Sequence, residues 1–286
     1  MTADNTPTPA APDTIVLIHG LWMTPRSWEK WVEHYEGKGY RVITPAYPGF
    51  EVEVEALRED PTPIESLTIP AVVEHLENIV GEPENPPIIM GHSAGGLFTQ
   101  ILLDHGYGAA GVAIDSAPAE GVRVVPISQI RSLFPILRHP STRHKAVGFT
   151  PEQFHYAFAN TLSREESDEV YERYHIPAPG SFVWAGPLAN FTPGHQDVYV
   201  NFRNEDRAPL LFIAGGEDNL MPPSQPVQRQ ALPPHRVHNR LQGIRGALPL
   251  HRRTGRLGGG SRLRARVGPR ARGGAPERLS GAPGMT

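Results

Sequence analysis

The 286-residue sequence contains no cysteine. That excludes a disulfide framework, a thiolate metal site and a cysteine nucleophile, and it fits a reducing compartment. No apolar run is long enough to span a bilayer, and the first thirteen residues, MTADNTPTPAAPD, are polar and proline-rich with no apolar core. The expectation is a cytoplasmic protein with a disordered N-terminus over 1–13, neither a signal peptide nor a membrane anchor. From Arg229 to the end there is no lysine and only one acid, Glu277, against thirteen arginines. Of 27 basic and 30 acidic residues in all, the body to Gln228 therefore keeps 14 basic and 29 acidic. Charge divided so unevenly raises a nucleic-acid arm as one reading of the tail.

What is present in the body is an alternation of buried strands and helices. TIVLIHG (14–20) is a short apolar run ending in glycine, as a parallel strand covered on both faces requires. Thr24 followed by Pro25 reads as the cap and first residue of a helix whose inward face carries Trp28, Trp31, Val32 and Tyr35, stopped by Gly37 and Gly39. Further strands are expected at 40–49, 86–93, 111–118 and 209–218, with a helix through Ile69, Val72, Val73, Leu76 and Val80. The rhythm predicts an α/β fold with a mostly parallel sheet and helices on both faces, in one domain over 14–228. Between about 119 and 207 no such strand occurs. That stretch reads as helices and loops, with a capping box at Ser163 and Glu166 and aromatics at Phe154, Tyr156, Phe158, Phe182, Trp184 and Phe191. An insertion there would cover the carboxyl ends of the sheet as a lid.

Three stretches carry chemistry. GHSAGG (91–96) fits G-x-S-x-G between a strand and a helix, where Gly91 and Gly95 allow a tight turn that lifts Ser93 as a nucleophile. The N–H of Ala94, at the helix start, would then face a developing oxyanion. HGLW (19–22) follows the first strand; the loop through Gly20 is where a second oxyanion donor is expected, the N–H of Leu21, with His19 supporting it. GGEDNLMPP (215–223) follows the last apolar strand and offers a carboxylate to orient an imidazole, with Asp115 as a rival acid at the end of another strand.

Together these residues resemble the alpha/beta-hydrolase superfamily, of the serine esterase, lipase and cofactor-free haloperoxidase kind, over about 14 to 225. The resemblance implies that Asp218, rather than Glu217, is the acid, and that the order Ser then Asp is followed by a histidine placed after one more strand and before a final helix. It implies hydrolysis of a small-molecule ester or acyl substrate through an acyl-enzyme, with no metal and no cofactor. Acyltransfer or perhydrolysis, or a hydrolase fold that binds without turnover, are the alternatives. The oligomeric state stays open.

The histidine is where the sequence departs from the pattern. His235, His238 and His251 follow Asp218, none after a recognisable strand, so the last strand and helix are expected to be missing and His251 is the nearest substitute. The residues from 229 to 286 are those of G- and C-rich codons. Codons exist for Arg240 to His251 that, read one base later, spell Asp-Tyr-Lys-Gly-Phe-Glu-Gly-Arg-Ser-His-Tyr, with the His within the codons of Leu248 to Leu250. The same frame then permits an amphipathic helix. We therefore read 229–286 as an out-of-frame, disordered tail after a slip near residue 230, which binds no specific nucleic acid.

Overall fold

Most of the apolar runs become strands, shorter at their ends than the runs themselves. The computed structural model describes residues 11–122 and 126–221, together with the backbone of 240–244. In chain order the strands are β1 (Thr14–Ile18), β2 (Arg41–Ile43), β3 (Ile88–His92), β4 (Ala110–Ile114), the two-residue β5 (Ala146–Val147) and β6 (Ala178–Pro179), β7 (Leu210–Gly215) and β8 (Arg240–Ile244). The main sheet has the order β2-β1-β3-β4-β7-β8, parallel at every pairing.

The body helices are α1 (Glu29–Glu36), α2 (Val54–Glu59), α3 (Thr62–Glu65), α4 (Ile69–Gly81) and α5 (Ala94–Asp104). Side chains alternate across a strand, and β1 uses both faces. Ile15 and Leu17 pack with Trp28, Trp31, Val32 and Tyr35 on one side; Val16 and Ile18 pack with the apolar stripes of α4 and α5 on the other. Thr24 caps a short 3-10 turn, Pro25–Trp28, that leads into α1, so the cap and proline start the helical segment as their sequence implies. No helix among the described residues is long and apolar enough to cross a membrane.

The insertion between β4 and β7 carries α6 (Ile127–Leu137), α7 (Pro151–Phe158), α8 (Arg164–Tyr174) and α9 (Gly180–Ala189). The Ser163–Glu166 capping box starts α8, and a second one, Thr150–Gln153, starts α7. The insertion is not purely helix and loop: β5 and β6 pair antiparallel through Ala146↔Pro179 and Val147↔Ala178. Two residues per strand are too few to show a period of two, so nothing in the sequence marked them. Phe149, Phe154, Phe158 and Val170 of the insertion pack on Leu21, Trp22 and Met23 from the loop after β1, which sets it over the carboxyl ends of the strands.

A second expectation also needs correcting. Arg240–Ile244 was expected to form no strand, yet β8 pairs in parallel with β7 from Leu211↔Arg240 to Gly215↔Ile244. Such a ladder is made by backbone groups and asks little of composition. Gln242 and Gly243 interrupt any apolar run, which removes the signal without removing the hydrogen bonds. His251, His235, His238, the expected final helix and the rest of the 229–286 tail lie outside the described residues, as do positions 1–10 of the N-terminus.

Candidate active site

The sheet reverses its winding between β1 and β3. β2 lies on one side of that pair, and β4, β7 and β8 on the other. In an open α/β sheet the crevice at such a point, beyond the carboxyl ends of the strands, is where ligands bind. The two loops that flank it here are HGLW after β1 and HSAGG after β3.

Ser93 sits at the tip of the β3–α5 turn with φ 54° and ψ −117°, a conformation strained for any residue but glycine. The turn is fixed from both sides. Ser93 N–H donates to Ile114 O at 3.0 Å, and its carbonyl accepts the N–H groups of Gly96 (3.0 Å), Leu97 (3.2 Å) and Ala117 (2.9 Å). The glycines are required by contact: a Cβ at Gly91 would lie 2.0 Å from Gly95 O, and one at Gly95 would lie 2.2 Å from Ile18 O. Gly91→Ala or Gly95→Ala is therefore expected to cost about 3 kcal/mol or more. Gly81→Ala is the control: at the last residue of α4 its Cβ would meet Tyr107 Cε1 at an ordinary 3.6 Å, and it should gain up to about 1 kcal/mol. Urea unfolding of the three variants checks the ordering.

Ala94 is the first residue of α5, so its N–H has no acceptor within the helix and is free to serve a ligand. The loop after β1 is held by His19, whose Nδ1 lies 2.8 Å from Gly20 O and whose ring lies tilted against Tyr47 with centroids 3.9 Å apart. The Tyr47 hydroxyl donates to His19 O at 2.5 Å. Gly20 lets this loop approach β3 closely, since a Cβ there would meet His92 Nδ1 at 3.0 Å. Burial lowers the pKa of His19 to about 4, and that of His92 to about 4 as well, so both rings are neutral at physiological pH. They shape the crevice as uncharged groups.

Two carboxylates lie near the ends of β4 and β7. Asp218 is buried, and its Oδ1 accepts the N–H groups of Leu220 and Met221, each at 2.7 Å. Asp115 is also buried, has φ 42°, and accepts Gly215 N–H at 2.5 Å. Burial raises both pKa values, and the neighbouring Asp218 charge raises Asp115 further. The pair thus holds a proton more readily at Asp115, leaving Asp218 the more easily ionised.

Ser93, Ala94 and Leu21 line a single cavity of about 530 Å³ with Trp22 and residues of the insertion. Met221, three residues from Asp218, lines it too. The structure thus gathers Ser93, Leu21 and Ala94 around one space, with His19, Gly20, Gly91 and Gly95 behind them; His251 falls outside the described residues. Trp22, Gln129 and Tyr47 belong to the site and its supports without having been foreseen. The aromatic richness of the insertion was the one available signal, and only part of it points inward. Phe182 lines the cavity and the exposed Phe191 its mouth, whereas Phe154 and Phe158 fill a core shared with Trp22 and Met23 of the loop after β1 and Trp184 donates to Thr142 Oγ1 at 3.0 Å.

Solved structures with this architecture include an extracellular alpha/beta-hydrolase from a Paenibacillus species (20% identity, TM-score 0.60, 83% of this chain and 90% of that one). A monoacylglycerol lipase from Paleococcus ferrophilus matches at 17% identity with a TM-score of 0.53, over 83% and 87% of the two chains. A pyrethroid hydrolase from Sphingobium faniae matches at 17% and 0.55, over 82% and 89%. These likenesses concern the fold. No curated protein sequence matches the chain. The profile of the alpha/beta hydrolase family, by contrast, matches residues 15–247, and with the parallel sheet and the Ser93 turn it establishes that the chain belongs to the alpha/beta hydrolase family.

Proposed function

We propose that this fold hydrolyses carboxylic esters through an acyl-enzyme on Ser93. The observation that carries the reading is the strained φ of Ser93 at the mouth of a cavity it shares with Leu21 and Ala94. In the reaction Ser93 Oγ attacks the ester carbonyl and passes its proton to an imidazole. The N–H groups of Leu21 and Ala94 hold the oxyanion, and the imidazole returns the proton to the departing alcohol. Water then attacks the acyl-enzyme by the same route and releases the acid. Asp218 orients the imidazole and balances its charge, with Oδ1 fixed by two backbone N–H groups and Oδ2 left for the ring. Names of solved neighbours that include a lipase and a pyrethroid hydrolase support the choice of ester chemistry.

The imidazole belongs after β8. In the chain as written the residue in that place is His251, seven residues beyond Ile244. We propose that it is a poor substitute for the histidine of the shifted frame, and that 229–286 is an out-of-frame tail. The test is labelling with a fluorophosphonate together with ester hydrolysis over a series of acyl lengths. The frame-restored chain is expected to be labelled at Ser93 and to hydrolyse at least one ester, with both lost in Ser93→Ala. A frame-restored, folded chain that hydrolyses none refutes the reading and leaves a fold that binds without turnover.

A further inference from the structure

The cavity wall is apolar almost throughout: Leu97, Phe98, Leu133, Phe182, Val183 and Met221 are typical of it. No charged side chain is among the described residues that line it. The polar side chains there besides Ser93 are Asn190 and Gln129. Asn190 is committed to the backbone, accepting Gly121 N–H at 3.0 Å and donating to Val122 O at 3.1 Å. Gln129 is not. It projects from α6, is 8% exposed, and among the described residues its amide has one partner, the thioether Sδ of Met221 at 3.5 Å. A thioether is a weak acceptor, and a primary amide has two donors and one acceptor to satisfy. A polar side chain more than nine-tenths buried, facing an apolar cavity and so nearly unpaired, is costly to keep unless a ligand uses it.

We propose that Gln129 is a specificity-determining residue. It reads one neutral hydrogen-bonding group, a keto or hydroxyl oxygen, on the chain of an otherwise apolar and uncharged ester. The proposal rests on the ester reading for the reacting group only; recognition of the chain needs no turnover. The walls supply affinity through burial of apolar surface, and Gln129 supplies discrimination, because a substrate without the oxygen leaves the amide unmet. A carboxylate on the chain is excluded, since it would enter an apolar cavity without a counter-charge. The exposed Ile130, Phe134 and Phe191, which also line the cavity, extend the apolar surface outward to its mouth.

The test is binding, measured by titration calorimetry on the full chain carrying Ser93→Ala so that nothing is consumed. The probes are phenyl hexanoate, phenyl 3-, 4- and 5-oxohexanoate, and monophenyl adipate. The tightest oxo ester is expected to bind about tenfold more tightly than phenyl hexanoate, the worth of one good neutral hydrogen bond, and the adipate at least about a hundredfold more weakly. Gln129→Met is expected to erase the oxo preference while phenyl hexanoate binds within about twofold, which shows that the cavity is still formed. Should the Met variant fail to fold, Gln129→Leu, which suits an apolar wall and carries neither donor nor acceptor, is expected to erase the same preference. Equal binding of oxo and plain esters, a preference that survives either variant, or tight binding of the adipate overturns the proposal. If the pattern holds but the frame-restored chain hydrolyses no ester, the ester reading falls alone; hydrolysis without the pattern removes only the role of Gln129.

Discussion

Restored to the shifted reading frame near residue 230, the chain is expected to turn over a simple aryl ester about a million-fold faster than the chain as written, a difference of roughly 8 kcal/mol in the barrier. The size follows from what an imidazole does in this chemistry. Without a base the Ser93 hydroxyl must attack while keeping its proton, and the oxyanion donors alone retain only a small part of the acceleration. The structure sharpens the comparison because the chain as written already has a strand, β8 over Arg240–Ile244, ahead of His251. The shifted histidine would stand within the codons of Leu248 to Leu250, and His251 stands just beyond. Steady-state hydrolysis by the two chains, and by the chain as written carrying His251→Ala, separates the cases. Should the chain as written match the restored one and lose its activity on His251→Ala, then His251 is the base and the tail is a working segment. Sequencing the coding DNA across codons 220 to 255 tests the same point without any assay, since true codons that do not spell the shifted peptide end the account of the tail.

The reach of the sequence followed the physics of each element. β1, β3, β4 and β7 are buried on both faces, so their runs are apolar without a break and stand out. The Ser93 turn was legible because two glycines at a fixed spacing around a serine are a steric requirement, later visible as the contacts a Cβ would make at Gly91 and Gly95. The Ser163–Glu166 box is a local hydrogen-bond pattern and was equally plain. β8 was not legible, because its pairing is a backbone matter and its sequence, RLQGI, carries no period. Gln129 and Tyr47 escaped for a different reason. Each earns its place by a contact across the fold, to Met221 92 residues away and to His19 28 residues away, and no local pattern announces such a partner. The same holds for the closeness of Asp115 and Asp218, whose significance depends on β4 and β7 being neighbours.

That closeness gives the second large effect. Asp218→Asn in the frame-restored chain is expected to lose about ten-thousand-fold in kcat, whereas Asp115→Asn is expected to stay within about tenfold of the parent. Both variants keep an oxygen able to accept the backbone N–H groups, and asparagine tolerates the positive φ at position 115, so each removes charge and spares geometry. The roles differ because burial and the Asp218 charge push the Asp115 carboxyl up to about 8, so near neutral pH it holds a proton and Asp218 carries the charge an imidazolium needs. The reverse result, activity lost at Asp115 and kept at Asp218, would exchange their roles. A stability measurement supplies an independent check with a definite sign. A buried acid with a raised pKa binds a proton in the folded state that the unfolded chain has already released. Folding stability attributable to Asp115 therefore declines as the pH rises from the ordinary carboxylate value near 4 to about 8, and levels off above it. Urea unfolding of the parent between pH 7 and pH 8, above the range in which the buried neutral His19 and His92 make stability rise with pH, is expected to show that decline, and Asp115→Asn, with no proton to lose, is expected to flatten it and to be the more stable protein at pH 8. An unchanged slope in the variant would mean that Asp115 is ionised in the folded protein at neutral pH, and the assignment of the charge to Asp218 would fail with it.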